Sequence, residues 1–364
     1  MKSVTRRDFL GYSSSLLASG AVGALASRRA AAQGLTKVRF TLSWVAEGSS
    51  LPLFVARNKG YWKTRGLDVE ISRGYGSSAS TVALASDKFD FGYAITSVMI
   101  LQVAKGLALQ SIGQLTYRNT MGVCVLADSP IKSPKDLEGK TVGITPTSGE
   151  VPFIPVYAKN AGVDYSKIKF VSMNLDVRYR ALMEKQIDAM TDTGISAIPP
   201  MVTQGFPVRF MLFSDHGMDM YASSLMTTPK MVKEKPEVCQ AFVDGVLEAV
   251  AFTLLNPNEA LDIFIKEVPE AALSAKGRDS VRVGMGIFNW STLSEDARKN
   301  GLGWSDPKMI AQMNDLVATY ITKSATKPSV DDLYTNRFAG KIKLTDAQWA
   351  AAKKHNEEFQ RFFS

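Results

Sequence analysis

Histidine and cysteine are scarce in this 364-residue chain. It has two histidines, His216 and His355, and two cysteines, Cys124 and Cys239. Two histidines far apart build no His-x-x-x-His metal site and leave few ways to assemble a Ser-His-Asp triad. No metal site, cofactor site or catalytic residue is therefore expected. The cysteines could pair in an oxidising compartment, but both sit in apolar runs and read more simply as small buried residues. Dense basic blocks are also missing, so no nucleic-acid partner is expected. The formal charge is +8, of which residues 1–32 supply +4. The rest of the chain holds 38 basic and 34 acidic side chains. No solenoid-period repeat is visible. Gly139-Lys140-Thr141 lacks the upstream glycine of a phosphate-binding loop.

What is present begins with an export pattern. Arg6-Arg7 precedes Phe9-Leu10, a short apolar stretch runs from Leu16 to Leu25, and Ala30-Ala31-Ala32 suits signal-peptidase cleavage. The stretch is short and rich in Gly, Ala and Ser, which disfavours a membrane span. Residues 1–32 are expected to be a twin-arginine signal peptide cleaved after Ala32. No cysteine lies near the cleavage point, so the product is expected to be a soluble periplasmic monomer without a lipid anchor.

The chain is organised around residues 37–97. A strand pattern from Lys37 ends at Trp44, followed by Glu47 and small polar residues, and a helix runs from Leu51 to Lys59. A second strand, Leu67 to Ile71, leads through Gly74-Tyr75-Gly76-Ser77-Ser78 into a helix. A third, ending at Ala94, leads to Thr96-Ser97. Strand–loop–helix units place loop tips at the carboxyl ends of parallel strands, where open α/β sheets bind ligands. Helix starts there present unpaired N–H groups and a positive dipole end. The glycine loop loosely matches a dinucleotide fingerprint, but its place after the second strand and the export pattern argue against that use.

The pattern repeats further on. Thr147-Ser148-Gly149 follows the strand Lys140 to Ile144, Asn174 follows Ile168 to Met173, and Asp192-Thr193 follows Ile187 to Met190. Two facing sets of tips make a two-sided clamp. Trp44 is the leading candidate for stacking on a flat ligand, with Tyr75, Tyr93, Phe153, Tyr179 and Tyr221 as others. Arg118 and Arg178 could pair with an anion. Glu47 and Asp192 could instead accept from an amine or a pyrimidine. The sign of the ligand's charge stays open.

Two separated segments carry a family resemblance. Ala56-Arg57-Asn58-Lys59-Gly60-Tyr61-Trp62, continuing to Gly66-Leu67-Asp68-Val69, and the later Ile131-Lys132-Ser133-Pro134-Lys135-Asp136-Leu137-Glu138-Gly139-Lys140 resemble the sulfonate-, nitrate- and thiamine-precursor-binding proteins of ABC importers. The resemblance implies a two-domain α/β fold of the type II periplasmic binding-protein kind, with two crossover strands. Domain I is expected at 36–126 and 222–364, domain II at 127–221. It also implies a small-molecule ligand and an inner-membrane permease as partners. Two alternatives remain: an exported enzyme of thiamine-pyrimidine synthesis, whose clustered-cysteine segment is absent here, and a sensor subunit for a receptor.

Overall fold

The computed structural model describes residues 34–363, apart from the side chains of residues 175 and 176. The expected signal peptide and its cleavage point lie outside the described residues.

Two five-stranded sheets share one design. The first holds β1 (Thr36–Thr41), β2 (Leu67–Ser72), β3 (Phe91–Ile95), β4 (Gln110–Gln114) and β10 (Ser223–Thr227), in the order β2-β1-β3-β10-β4. The second holds β5 (Met121–Leu126), β6 (Thr141–Ile144), β7 (Lys169–Ser172), β8 (Ala189–Thr193) and β9 (Val208–Leu212), in the order β7-β6-β8-β5-β9. In each, the strand arriving from the other sheet runs antiparallel to its neighbours, β10 beside β3 and β4, β5 beside β8 and β9. The remaining pairs are parallel. Each sheet with its helices is a lobe.

The first crossing lies earlier than the sequence suggests. β5 was expected to close the first lobe at residue 126, but it pairs with β8 and β9 in the second sheet. The chain therefore crosses at Leu115–Thr120 and returns at Tyr221–Ala222. The two crossings are tied together. Asn119 Nδ2 donates to the Tyr221 carbonyl, Ala222 N–H donates to the Thr116 carbonyl, and the Tyr117 and Tyr221 rings meet edge to face at 5.2 Å.

Apolar patterning explains the cores. β1 alternates outward Lys37 and Arg39 with buried Val38 and Phe40, as a half-covered strand should. β5 is buried along its whole length. The helix Pro236–Leu255 is long and apolar enough to cross a membrane by composition, yet ten of its residues are buried in the first lobe. Phe242 stacks on Phe91 at 4.0 Å and on Trp62 at 5.4 Å, and Trp62 Nε1 donates to the Phe242 carbonyl. Cys124 and Cys239 are buried and free.

The helix Gly277–Thr292 has no counterpart in the sequence-based reading. Three glycines at 277, 284 and 286 weaken the helical signal. Here they serve close packing. A Cβ at Gly284 would come within 3.2 Å of Gly48 Cα, and one at Gly286 would strike the Phe359 ring at 2.2 Å. Val283 and Ile287 pack with Ile198 of the second lobe and with Phe359 near the C-terminus. This helix lies against both lobes.

Candidate functional site

The cleft forms where loops leave the carboxyl ends of the parallel strands in both lobes. In the first lobe the loops after β1 and β2 are zipped together. Gly74 N–H donates to the Trp44 carbonyl at 2.9 Å, and Gly76 N–H to the Ser43 carbonyl at 2.8 Å. A Cβ at Gly74 would stand 2.1 Å from the Leu42 carbonyl oxygen, so this approach needs glycine. The zipper fixes Trp44 and Glu47 beside Ser77, which opens the helix Ser77–Ala85.

In the second lobe the loop after β6 brings Ser148, Gly149 and Glu150 to the cleft, and the end of β8 brings Asp192 and Thr193. The two lobes touch across it. Gly76, at φ 105°, sits so close to the Thr147 carbonyl that a Cβ there would lie 2.0 Å from the oxygen. A Cβ on Gly149 would lie 2.5 Å from Ile95 Cδ1 and 3.3 Å from Ser77 Cβ. Ser196 Oγ of the second lobe donates to Glu47 Oε1 of the first at 2.7 Å.

Of the sequence candidates, Trp44, Glu47, Gly76, Ser77, Arg118, Ser148, Gly149, Asp192 and Thr193 line this cavity. The others lie elsewhere. Tyr75 is 62% exposed, with the Arg73 guanidinium 4.6 Å above its ring. Ser78 is outside the lining, and its carbonyl accepts from Thr81 Oγ1. Thr147 is exposed and contributes its backbone contact with Gly76. Asn174 is exposed at the start of the helix Leu175–Met183. Thr96 and Ser97 are fully buried. Thr96 N–H donates to the Ala222 carbonyl, and its hydroxyl donates to Gln114 and contacts Ser224. The return crossing thus occupies the place expected for a ligand.

Arg178 is not free to face an anion, and Arg118 is held in part. Arg178 is wholly buried, donates to Asp192 Oδ2 and the Thr191 carbonyl at 2.7 Å each, and lies 3.6 Å from Glu150. It does not line the cavity. Arg118 reaches the rim, but its guanidinium lies 4.7 Å over the Trp290 ring and donates to the Trp290 carbonyl. Of the further aromatics, Tyr93 lines the cavity. Phe153 is core, Tyr179 donates to Asp192, and Tyr221 braces the crossing.

The cavity is thus acidic and hydroxyl-rich. Burial pushes Glu47 up to about 7, against hydrogen bonds from Ser196 and Ser49 that favour its charged form. Both hydroxyls donate to Oε1. Burial also raises Glu150, against the pull of Arg178. Trp44 Nε1 is buried with no hydrogen-bond partner. An unsatisfied buried donor is costly. Trp44, with its unpartnered donor, and Glu47, with its carboxylate, line the same cavity.

The sequence reading missed Ser43, Thr116, Asn119, Thr120, Ser196 and Ser223. A signal existed for three of them. The polar run Thr116–Thr120 precedes the apolar strand β5 and is the crossing itself. Among the described residues, no cluster of three metal-ligating side chains occurs.

The chain is 24% identical over 312 residues to the riboflavin-binding protein RibY of Chloroflexus aurantiacus, covering 84% of this chain and 86% of that one. It is 25% identical over 241 residues to the formylaminopyrimidine-binding protein of Halalkalibacterium halodurans, covering 66% and 73%. A 4-amino-5-hydroxymethyl-2-methylpyrimidine phosphate synthase of Candida albicans is 26% identical over 238 residues, covering 62% and 69%. Among solved structures, the alkanesulfonate-binding protein SsuA of Xanthomonas axonopodis pv. citri bound to MOPS superposes with a TM-score of 0.62 at 12% identity, covering 84% of this chain and all of that one. The fold is that of the periplasmic binding proteins. The profile of the NMT1/THI5 like family matches residues 48–260, and the chain belongs to that family.

Proposed function

We propose that this protein is the solute-binding component of an ABC importer and captures a small planar nitrogen heterocycle between its lobes. The observation that carries this reading is that Trp44, whose buried indole N–H has no partner, and the acid Glu47 line the same cavity. An amino-substituted ring nitrogen offers an acceptor and a donor on one edge. The Trp44 ring adds a face for stacking. The arrangement suits an anion poorly, because Arg178 is committed to Asp192 and Arg118 to Trp290. The relatives named for riboflavin and formylaminopyrimidine agree with a flat heterocycle.

The tied crossings serve as the hinge, and the Gly76–Thr147 and Gly149–Ile95 approaches are the closed contact. A ligand drives closure only by contacts it makes better in the closed state. The closed form then docks on a membrane permease. No catalytic role is assigned. Relatives named as synthases keep an enzyme reading in view, but the cavity lining contains no cysteine or histidine.

A thermal-shift and calorimetry screen tests this on protein from Gln33 onward, unfolded and refolded to strip bound ligand. Aminopyrimidines should stabilise it, and Trp44→Ala should weaken the effect. Stabilisation by alkyl sulfonates that vanishes in Arg118→Ala would overturn the heterocycle reading.

A further inference from the structure

The cleft does not end at Glu47. A second cavity of about 280 Å³ lies beyond it and shares Glu47, Ile195 and Ser196 as walls with the first, which encloses about 60 Å³. At roughly 10–15 Å³ per water position, the first holds on the order of four to six, enough for one small ring. Anything attached to that ring has to go elsewhere. The second cavity is several times larger.

Its walls come from three places. Gly48 borders it from the first lobe, Thr203 and Gln204 from the second, and Ser280 and Lys276 from the start of the helix Gly277–Thr292. Hydrogen-bonding capacity is left over. Gln204 Nε2 donates to the Pro200 carbonyl, which leaves its side-chain oxygen free to accept. Thr203 donates to the Pro199 carbonyl and can still accept. Lys276 is exposed at the edge with three donors. The hydrogen bond from Ser196 to Glu47 crosses the wall between the two cavities.

We propose that the second cavity is a subsite for a hydroxyl-bearing chain on the ligand, admitted when the Glu47–Ser196 hydrogen bond parts. The ring sits against Trp44, and the chain takes over Ser196 and runs toward Ser280 and Lys276. Discrimination between a bare ring and its chain-bearing derivative then resides in the second lobe and in the helix Gly277–Thr292. This inference rests on the heterocycle reading of the first cavity.

Equilibrium binding to the stripped protein tests it with two pairs of probes. One pair is 4-amino-2,5-dimethylpyrimidine and 4-amino-5-(2-hydroxyethyl)-2-methylpyrimidine, the other cytosine and 1-(2,3-dihydroxypropyl)cytosine. In at least one pair the chain-bearing probe should bind at least tenfold tighter than its bare ring. Ser280→Phe, which fills the cavity, should abolish that gain and leave the bare ring's Kd unchanged. Gln204→Trp, at an exposed position, should act the same way should Ser280→Phe fail to fold. Ser196→Ala deletes the hydroxyl that the chain takes over and should reduce the gain without abolishing it. Equal binding within both pairs would overturn the subsite while leaving the heterocycle reading intact. A gain untouched by both cavity-filling variants would do so too. Failure of every probe to bind would overturn the heterocycle reading and the subsite with it.

Discussion

The two faces of the cleft hold their polar groups in opposite ways. On the second lobe, Asp192 accepts three hydrogen bonds: Oδ2 from Arg178 and Tyr179, and Oδ1 from Thr193 N–H. On the first lobe, Trp44 Nε1 has no partner, and Glu47 takes both its hydroxyl donors on one oxygen. The acid of the second lobe is paired with a buried cation, and the acid of the first lobe is not. A ligand gains most where the protein's own hydrogen bonds are incomplete. On the proposed function, recognition would belong chiefly to the first lobe, with the second lobe closing over it.

That contrast can be broken most violently at Arg178. Removing it leaves Asp192 and Glu150 buried without a cation, and breaking a buried pair in this way costs about 3–5 kcal/mol. Arg178→Met should lower the urea midpoint by that equivalent, and a change under about 1 kcal/mol would show the network to be loosely held. Next in size is the ring contact. Trp44→Ala should weaken heterocycle binding by roughly tenfold to a hundredfold in calorimetry, from lost stacking and burial, with little change in melting temperature.

Closure comes third. Gly76→Ala places a methyl against the Thr147 carbonyl at a positive φ, where a side chain costs on the order of 1–3 kcal/mol. Small-angle scattering should show a larger radius of gyration with ligand present, and affinity should fall. A variant that closes normally would show that the two loops part easily.

The pH dependence of Glu47 sharpens the contrast further. Its folded value is raised to about 7, so between about 4.5 and 7 the folded state holds a proton that the unfolded state has lost. Stability from this group is complete below pH ~4.5 and declines through that window, at up to about 1.4 kcal/mol per pH unit. Glu47→Gln should flatten the slope of melting temperature in that range. Heterocycle affinity should move the other way, rising from pH 6 to 8 as the carboxylate ionises. The smallest effect is expected at Arg118, already held by Trp290. Arg118→Ala should alter heterocycle affinity by less than about threefold.

Much of the architecture was legible because strand tips have a fixed position relative to a parallel sheet. Trp44, Glu47, Ser77, Ser148 and Asp192 could be placed at a cleft from strand ends alone. Thr96 and Ser97 satisfy the same rule and still lie in the core. The antiparallel return strand fills their place, and the pairing of Thr96 with Ala222 spans residues distant in sequence. Arg178 reads as a candidate anion partner until Asp192, fourteen residues later, folds back onto it. β5 reads the same in either sheet because every residue in it is buried. The helix Gly277–Thr292 was hidden by glycines whose use shows only once Gly48 and Phe359 stand against them.

The most direct test of recognition by the first lobe is calorimetric titration of stripped wild type, Glu47→Gln and Arg118→Ala with an aminopyrimidine and an alkyl sulfonate at pH 8. The account predicts that the aminopyrimidine binds wild type and Arg118→Ala alike and loses at least tenfold in Glu47→Gln, while the sulfonate binds none of them. Sulfonate binding that survives Glu47→Gln and disappears in Arg118→Ala would contradict it.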